Sequence, residues 1–97
     1  MTFYTTPQVA AAARTSKRAI RIWEAKRLFG DVQRNKRDER LFTAAQLERA
    51  KVISAATMAG MGLDEIKEKP DIVLLAKICE AAYFIGSVLE NSKGFDL

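Results

Sequence analysis

Residues 16–24 read Ser16-Lys17-Arg18-Ala19-Ile20-Arg21-Ile22-Trp23-Glu24. A serine at the head of such a run accepts hydrogen bonds from the unpaired backbone N–H groups of a first helical turn. Ile20 and Trp23, three residues apart, then share one face, while Lys17, Arg18 and Arg21 take the other. A helix of this kind can pack on a core and still hold cations out toward a polyanion. Residues 16–26 are therefore expected to form a recognition helix for DNA.

The flanks support that expectation. Upstream, Thr6-Pro7 signals a helix start, with Thr6 as the cap and Pro7 at the first turn, where its missing N–H costs nothing. A helix over 7–13 follows, and its alanines, Ala10 to Ala13, let a second helix approach closely. Arg14-Thr15-Ser16 makes a tight turn without the usual glycine, and Phe3-Tyr4 is expected as a short first strand. Downstream, Leu28-Phe29 return to the core and Gly30 breaks the helix. Residues 31–40 are almost all polar before Leu41-Phe42, a pattern that predicts a hairpin with its tip near Asn35-Lys36.

Thr43 and Gln46 form a capping-box pattern, with Phe42 and Leu47 placed as a hydrophobic staple. They open a helix to about residue 59, with Leu47, Ala50, Ile53, Ser54 and Thr57 or Met58 at helical spacing, stopped by Gly60 and Gly62. Residues 63–69 add one or two turns, with Leu63 and Ile66 inward, before Pro70. A final helix over about 71–91 opens with Asp71 as its cap and is largely apolar. Its length raises a membrane span. Lys77 and Glu80 argue against one, because they stand one turn apart where they can pair on a helix surface. The remaining apolar circumference is more than a small domain can cover. A homodimer is expected through Leu74, Leu75, Ile78, Ile85 and Leu89, with a core helix of a monomer as the alternative.

The 97 residues, 48% hydrophobic and 29% charged, suit one compact globular unit. Two segments are expected within it: 1–69 as the DNA-binding domain and 70–97 as a dimerising or core-completing helix. The net charge of +4 is unevenly placed. Residues 1–42 hold ten Lys/Arg against four acids, a balance of +6; residues 43–97 hold six against eight, a balance of −2. A basic half is the footprint of a protein that displaces counterions from phosphates. The lone Cys79, with no histidine in the chain, makes neither an internal disulfide nor a Cys/His zinc site, and is expected as a buried thiol. No metal or cofactor is expected. No basic–apolar–small pattern of a secretion signal is present at the N-terminus, so a cytoplasmic, nucleoid-associated protein is expected. Catalysis is not expected either. There is no nucleophile–base pair and no glycine-rich phosphate loop, and Asp64, Glu65 and Glu68 suit a solvated helix surface.

Taken in order, Tyr4-Thr5, the stretch from Ser16 through Arg18-Ala19-Ile20-Arg21-Ile22-Trp23-Glu24, Leu28, Arg40-Leu41-Phe42 and the capped Leu47-Glu48-Arg49 resemble the MerR family. Its DNA-binding domains carry a Tyr-Thr start, a Ser/Thr-x-Arg-Thr-Leu-Arg-Tyr-Tyr-Glu helix and an Asn-Gly-Tyr-Arg-x-Tyr wing. Met61-Gly62-Leu63-Asp64-Glu65-Ile66 resembles the family's Gly-Phe-Ser-Leu-Glu-Glu-Ile segment, so the resemblance spans about residues 3–68. It implies a mainly α, winged helix-turn-helix fold with a small β wing over 30–42, followed by the C-terminal apolar helix. The helix would lie in the major groove of double-stranded DNA. By position, Ser16, Arg18 and Arg21 match the family's recognition-helix contacts and Arg40 its wing arginine. Lys17 joins them by charge alone, and Arg34, Lys36 and Arg37 complete the basic wing. Two departures stand out: Ile22 replaces a tyrosine that often touches the DNA backbone, and Lys36-Arg37-Asp38-Glu39 replaces Asn-Gly-Tyr. Full-length members continue into a coiled coil and a sensor domain. Here one apolar helix is expected instead, with no small-molecule effector.

The expected function is sequence-specific transcription regulation, as a repressor, by a bacterial, phage or mobile-element protein. An excisionase-like architectural factor is the alternative within DNA binding. A protein-interaction module or antiactivator, built on a degenerate helix-turn-helix, is the alternative outside it.

Overall fold

A computed structural model describes residues 2–79. Its element order is α1 (Thr6–Ala12), α2 (Lys17–Ala25), β1 (Gln33–Arg34), β2 (Arg40–Leu41), α3 (Ala44–Met58) and α4 (Leu63–Lys67), followed by a helical stretch over 71–79. The result is the expected mainly helical, winged helix-turn-helix arrangement. α1 packs against both α2 and α3, and α4 packs against α3.

Helix starts follow side-chain caps. The Ser16 hydroxyl accepts from the Ala19 N–H at 3.0 Å, and Thr43 and Gln46 form the expected reciprocal box. At α1 the cap is Thr5 rather than Thr6: the Thr5 hydroxyl accepts from Gln8 N–H at 3.4 Å and Gln8 Oε1 accepts from Thr5 N–H at 2.8 Å. Thr5-x-x-Gln8 is thus the same box as Thr43-x-x-Gln46, and Thr6 is already helical. Asp71 likewise is no simple cap. It lies within the helical stretch, and its carboxylate accepts from Arg49 at 2.8 Å.

The three longest named helices end alike. After α1 the Thr15 N–H donates to Ala10 C=O, after α2 Leu28 N–H to Trp23 C=O, and after α3 Met61 N–H to Ala56 C=O, at 2.9, 3.0 and 3.0 Å. Each closure needs a left-handed residue just before the donor. Gly60 fills that place after α3 with φ 92°, but Arg14 (φ 54°) and Arg27 (φ 63°) fill it after α1 and α2.

The wing is a two-stranded antiparallel ribbon with Gln33 opposite Leu41 and Arg34 opposite Arg40. Tyr4 bridges Phe42 through two backbone hydrogen bonds of 2.8 Å, so the expected opening strand is a single residue pair that stitches the chain start to the wing's base. The core gathers Val9, Ile20, Trp23, Leu28, Phe29, Phe42, Ile53, Ile66 and Leu74. Phe29 and Phe42 meet edge to face at 5.3 Å, joining the end of α2 to the wing's return strand.

Arg49 holds the far side of this core. From α3 its guanidinium donates to Leu28 C=O, Ile66 C=O, Lys69 C=O and the Asp71 carboxylate, at 2.7–3.2 Å. One planar, five-donor group thereby satisfies carbonyls at the ends of two helices and fixes the entry to 71–79.

Leu74, one of the residues expected at the dimer interface, is fully buried in the chain's own core. Leu75 is exposed, and Ile78 is half-buried against the core. Cys79 is exposed, correcting the expected buried thiol: Leu74 and Ile78 occupy the inward helical positions and Cys79 falls off that face. Lys77 lies 3.7 Å from the Glu65 carboxylate of α4. Glu80, its expected partner, lies outside the described residues, as do Ile85 and Leu89 of the expected interface. Among the described residues, no helix is long and apolar enough to cross a membrane.

Candidate nucleic-acid interface

α2 divides as its sequence requires. Ile20 and Trp23 are buried, whereas Lys17, Arg18, Arg21 and Ile22 are exposed. With 100° between residues, the inward pair anchors the helix and turns the three cations outward together. The cap at Ser16 keeps the first turn intact where Lys17 and Arg18 sit, so these long side chains project from a backbone that does not fray. Ile22 is 41% exposed. Where the family's tyrosine would offer a hydroxyl, this chain offers an apolar group on the same ridge.

The wing tip is built by Asn35. Its side-chain oxygen accepts from the Arg37 and Glu39 N–H groups, both at 2.9 Å, and its backbone pairs with Glu39 C=O and Asp38 N–H. Asp38 takes the left-handed position with φ 60°. An aspartate tolerates that conformation better than most residues, which explains how Lys36-Arg37-Asp38-Glu39 turns without the family's Asn-Gly. Lys36 and Arg37 stand exposed on this tip, while the Glu39 carboxylate is drawn back to accept from Asn35 Nδ2 at 3.2 Å.

Arg34 and Arg40 are placed differently from Lys36 and Arg37. Arg34 Nη2 and Arg40 Nε both donate to Glu24 Oε1, at 3.0 and 2.9 Å. Arg34 Nη1 also donates to Asp38 C=O at 2.9 Å, and its Nε lies 3.6 Å from the Asp38 carboxylate. Glu24 is only 17% exposed and comes from the last turn of α2, so it ties α2 to both wing strands. Between α1, α2 and the wing lies a cleft of about 310 Å³ lined by Thr5, Thr6, Arg21, Asn35, Glu39 and Arg40, among others.

The fold thus brings Ser16, Lys17, Arg18, Arg21, Lys36 and Arg37 to exposed positions, while Arg34, also exposed, and half-buried Arg40 are ion-paired to Glu24. Sequence reasoning overlooked Glu24 and Asn35 as organisers. Glu24 stood in the quoted motif, and its signal was a lone acid at the end of a basic helix.

The profile of the MerR HTH family of regulatory proteins matches residues 4–70. Solved structures share the architecture. The chain superposes on HiNmlR, a MerR family regulator lacking the sensor domain and bound to promoter DNA, with TM-score 0.73 and 19% identity, covering 97% of this chain and 84% of that one. A MerR family transcriptional regulator from Bacillus thuringiensis gives 0.68 and 23%, over 98% and 95%. MtaN, the N-terminus of a multidrug transporter activator from Bacillus subtilis, gives 0.62 and 24%, over 96% and 94%. At these identities the likeness is one of fold. No curated protein matches the chain in sequence.

Proposed function

The chain belongs to the MerR family of helix-turn-helix regulatory proteins, and from that premise we propose that it is a cytoplasmic, sequence-specific binder of double-stranded DNA that represses transcription by occupying its site. The observation that carries this reading is the exposed ridge of Lys17, Arg18 and Arg21 on a helix anchored by Ile20 and Trp23, flanked by the Lys36-Arg37 tip. Inserted in a major groove, Arg18 and Arg21 would reach guanine edges, which offer two acceptors suited to a guanidinium. Lys17, Lys36 and Arg37 would grip phosphates and supply most of the affinity. Ser16 would serve through its cap, and Ile22 would meet a thymine methyl or sugar rather than a phosphate. Arg40, held through Nε, keeps its two terminal nitrogens for a phosphate at the cleft it shares with Arg21.

A homodimer through the region after Asp71 completes the proposal. Its support is the exposure of Ile72, Val73 and Leu75 on one short helical stretch, at 76%, 38% and 47%. Leu74 takes no part. A dimer would read a site with two-fold symmetry, its half-sites about one helical turn or a multiple apart.

Selection of bound duplexes from a random pool tests the reading directly. A recovered motif with two symmetric halves, bound with a steep loss of affinity as salt rises, is the expected result. Recovery of no motif, or binding indifferent to salt, refutes it. Tandem direct sites bound cooperatively with bending would move the assignment to an architectural factor.

A further inference from the structure

The wing carries more cations than it offers to a ligand. Four basic residues lie between positions 34 and 40, yet two of them, Arg34 and Arg40, converge on one oxygen of Glu24. Glu24 stands one turn beyond Arg21 on α2, at the border between the buried face and the exposed ridge. The other acids near the interface are occupied otherwise: Asp31 pairs with exposed Arg27, Asp38 faces Arg34, and Glu39 accepts from Asn35. Glu24 is thus the one acid among the described residues that joins the recognition helix to the wing by ion pairs.

Phosphate contacts give affinity for any sequence, because each neutralised phosphate releases counterions; base contacts give the preference for one site. A guanidinium already locked on a carboxylate releases nothing when DNA arrives. Arg34, exposed but with Nη2 donating to Glu24, Nη1 to the Asp38 carbonyl and Nε 3.6 Å from the Asp38 carboxylate, is withheld in this way. Arg40 is withheld only at Nε, which orients the rest of its fork.

We propose that Glu24 is a specificity-determining positioning residue: it withholds Arg34 from phosphate contact, orients Arg40, and so suppresses binding to DNA of arbitrary sequence. The inference rests on the DNA-binding reading above, and the experiment separates the two.

Binding is followed by fluorescence anisotropy over roughly 50–300 mM KCl. The probes are the duplex recovered from the random pool and a scrambled duplex of equal length. For Glu24→Gln, the salt slope on scrambled DNA steepens by about 0.9 for each phosphate gained, and scrambled affinity near 0.1 M salt rises about 8-fold per phosphate. Affinity for the selected duplex rises less, so the ratio between the two probes falls. In that background a second change, Arg34→Gln, flattens the slope by about 0.9; in the wild-type background it flattens it by less than half as much. An unchanged or shallower slope for Glu24→Gln overturns the inference. Should Glu24→Gln fail to fold by circular dichroism, Arg37→Gln must flatten the wild-type slope at least twice as much as Arg34→Gln. Equal flattening overturns the inference as well. Wild-type protein that binds neither duplex removes the DNA-binding reading itself, whereas wild-type binding with a Glu24→Gln slope that does not steepen removes only the role of Glu24.

Discussion

Arg14 and Arg27 occupy backbone positions that favour glycine. A left-handed conformation brings the Cβ of an L-residue against the following carbonyl oxygen, at a cost of roughly 1–2 kcal/mol. Glycine avoids that clash but loses more chain entropy on folding, which offsets part of the gain. Arg14→Gly and Arg27→Gly should therefore each stabilise the domain, by about 0.5–1 kcal/mol, and raise Tm by a few degrees in a thermal melt. The Arg27–Asp31 pair lost in the second variant is highly exposed and is no obstacle. Arg18 and Arg21 should behave oppositely, since both are exposed and neither side chain makes a hydrogen bond or ion pair among the described residues. Arg18→Ala and Arg21→Ala should leave Tm near wild type. Each should reduce discrimination between selected and scrambled duplexes by about 1–3 kcal/mol, roughly 5- to 150-fold. Two variants that both keep wild-type discrimination would remove the recognition role from α2.

Between elements, Arg49 is the junction that decides how α3, α4 and the helical stretch 71–79 sit together. Its side chain is 14% exposed and meets four acceptors. Removing it strands carbonyls that water reaches poorly, and hydrogen bonds from a charged donor contribute about 1.5–3 kcal/mol. Arg49→Ala should cost about 3 kcal/mol in urea denaturation. Arg49→Lys should recover less than half of that, because an ammonium on a flexible stem cannot span acceptors set around a planar fork. A lysine variant as stable as wild type would mean that charge, not geometry, is what the junction needs. None of this junction was visible in the local pattern. In the sequence Arg49 is only one charged residue of the capped Leu47-Glu48-Arg49 helix start, and its partners lie 17 to 22 residues away.

For the whole molecule, the decisive neighbours are Leu74 and Leu75. They are adjacent in sequence and differ in burial, 0% against 47% exposed. Leu74→Ala should destabilise the protomer by about 2–5 kcal/mol through the cavity it opens. Leu75→Glu should leave the protomer folded by circular dichroism and convert the proposed dimer to monomers in light scattering. A folded dimer carrying Leu75→Glu would exclude this face from the interface. Monomeric wild-type protein at micromolar concentration would exclude the dimer.

The order of elements, the helix starts at Ser16 and Thr43, the inward turn of Ile20 and Trp23, and the basic character of the wing were all determined by the sequence alone. Each depends on residues within about one turn of one another, where spacing and capping chemistry leave few alternatives. The start of α1 was equally legible, at Thr5 and Gln8, once both ends of its box were considered. Tertiary structure decided which charges remain free. Arg34 and Arg40 look like Lys36 and Arg37 in the sequence, and only the fold of the wing against α2 brings them within 3.0 Å of Glu24. It also decided which leucine faces inward after Asp71, because an apolar run that could bury any side takes its orientation from the core it meets. α2 thus keeps its three outward cations, and the acid at its end sets how many others join them.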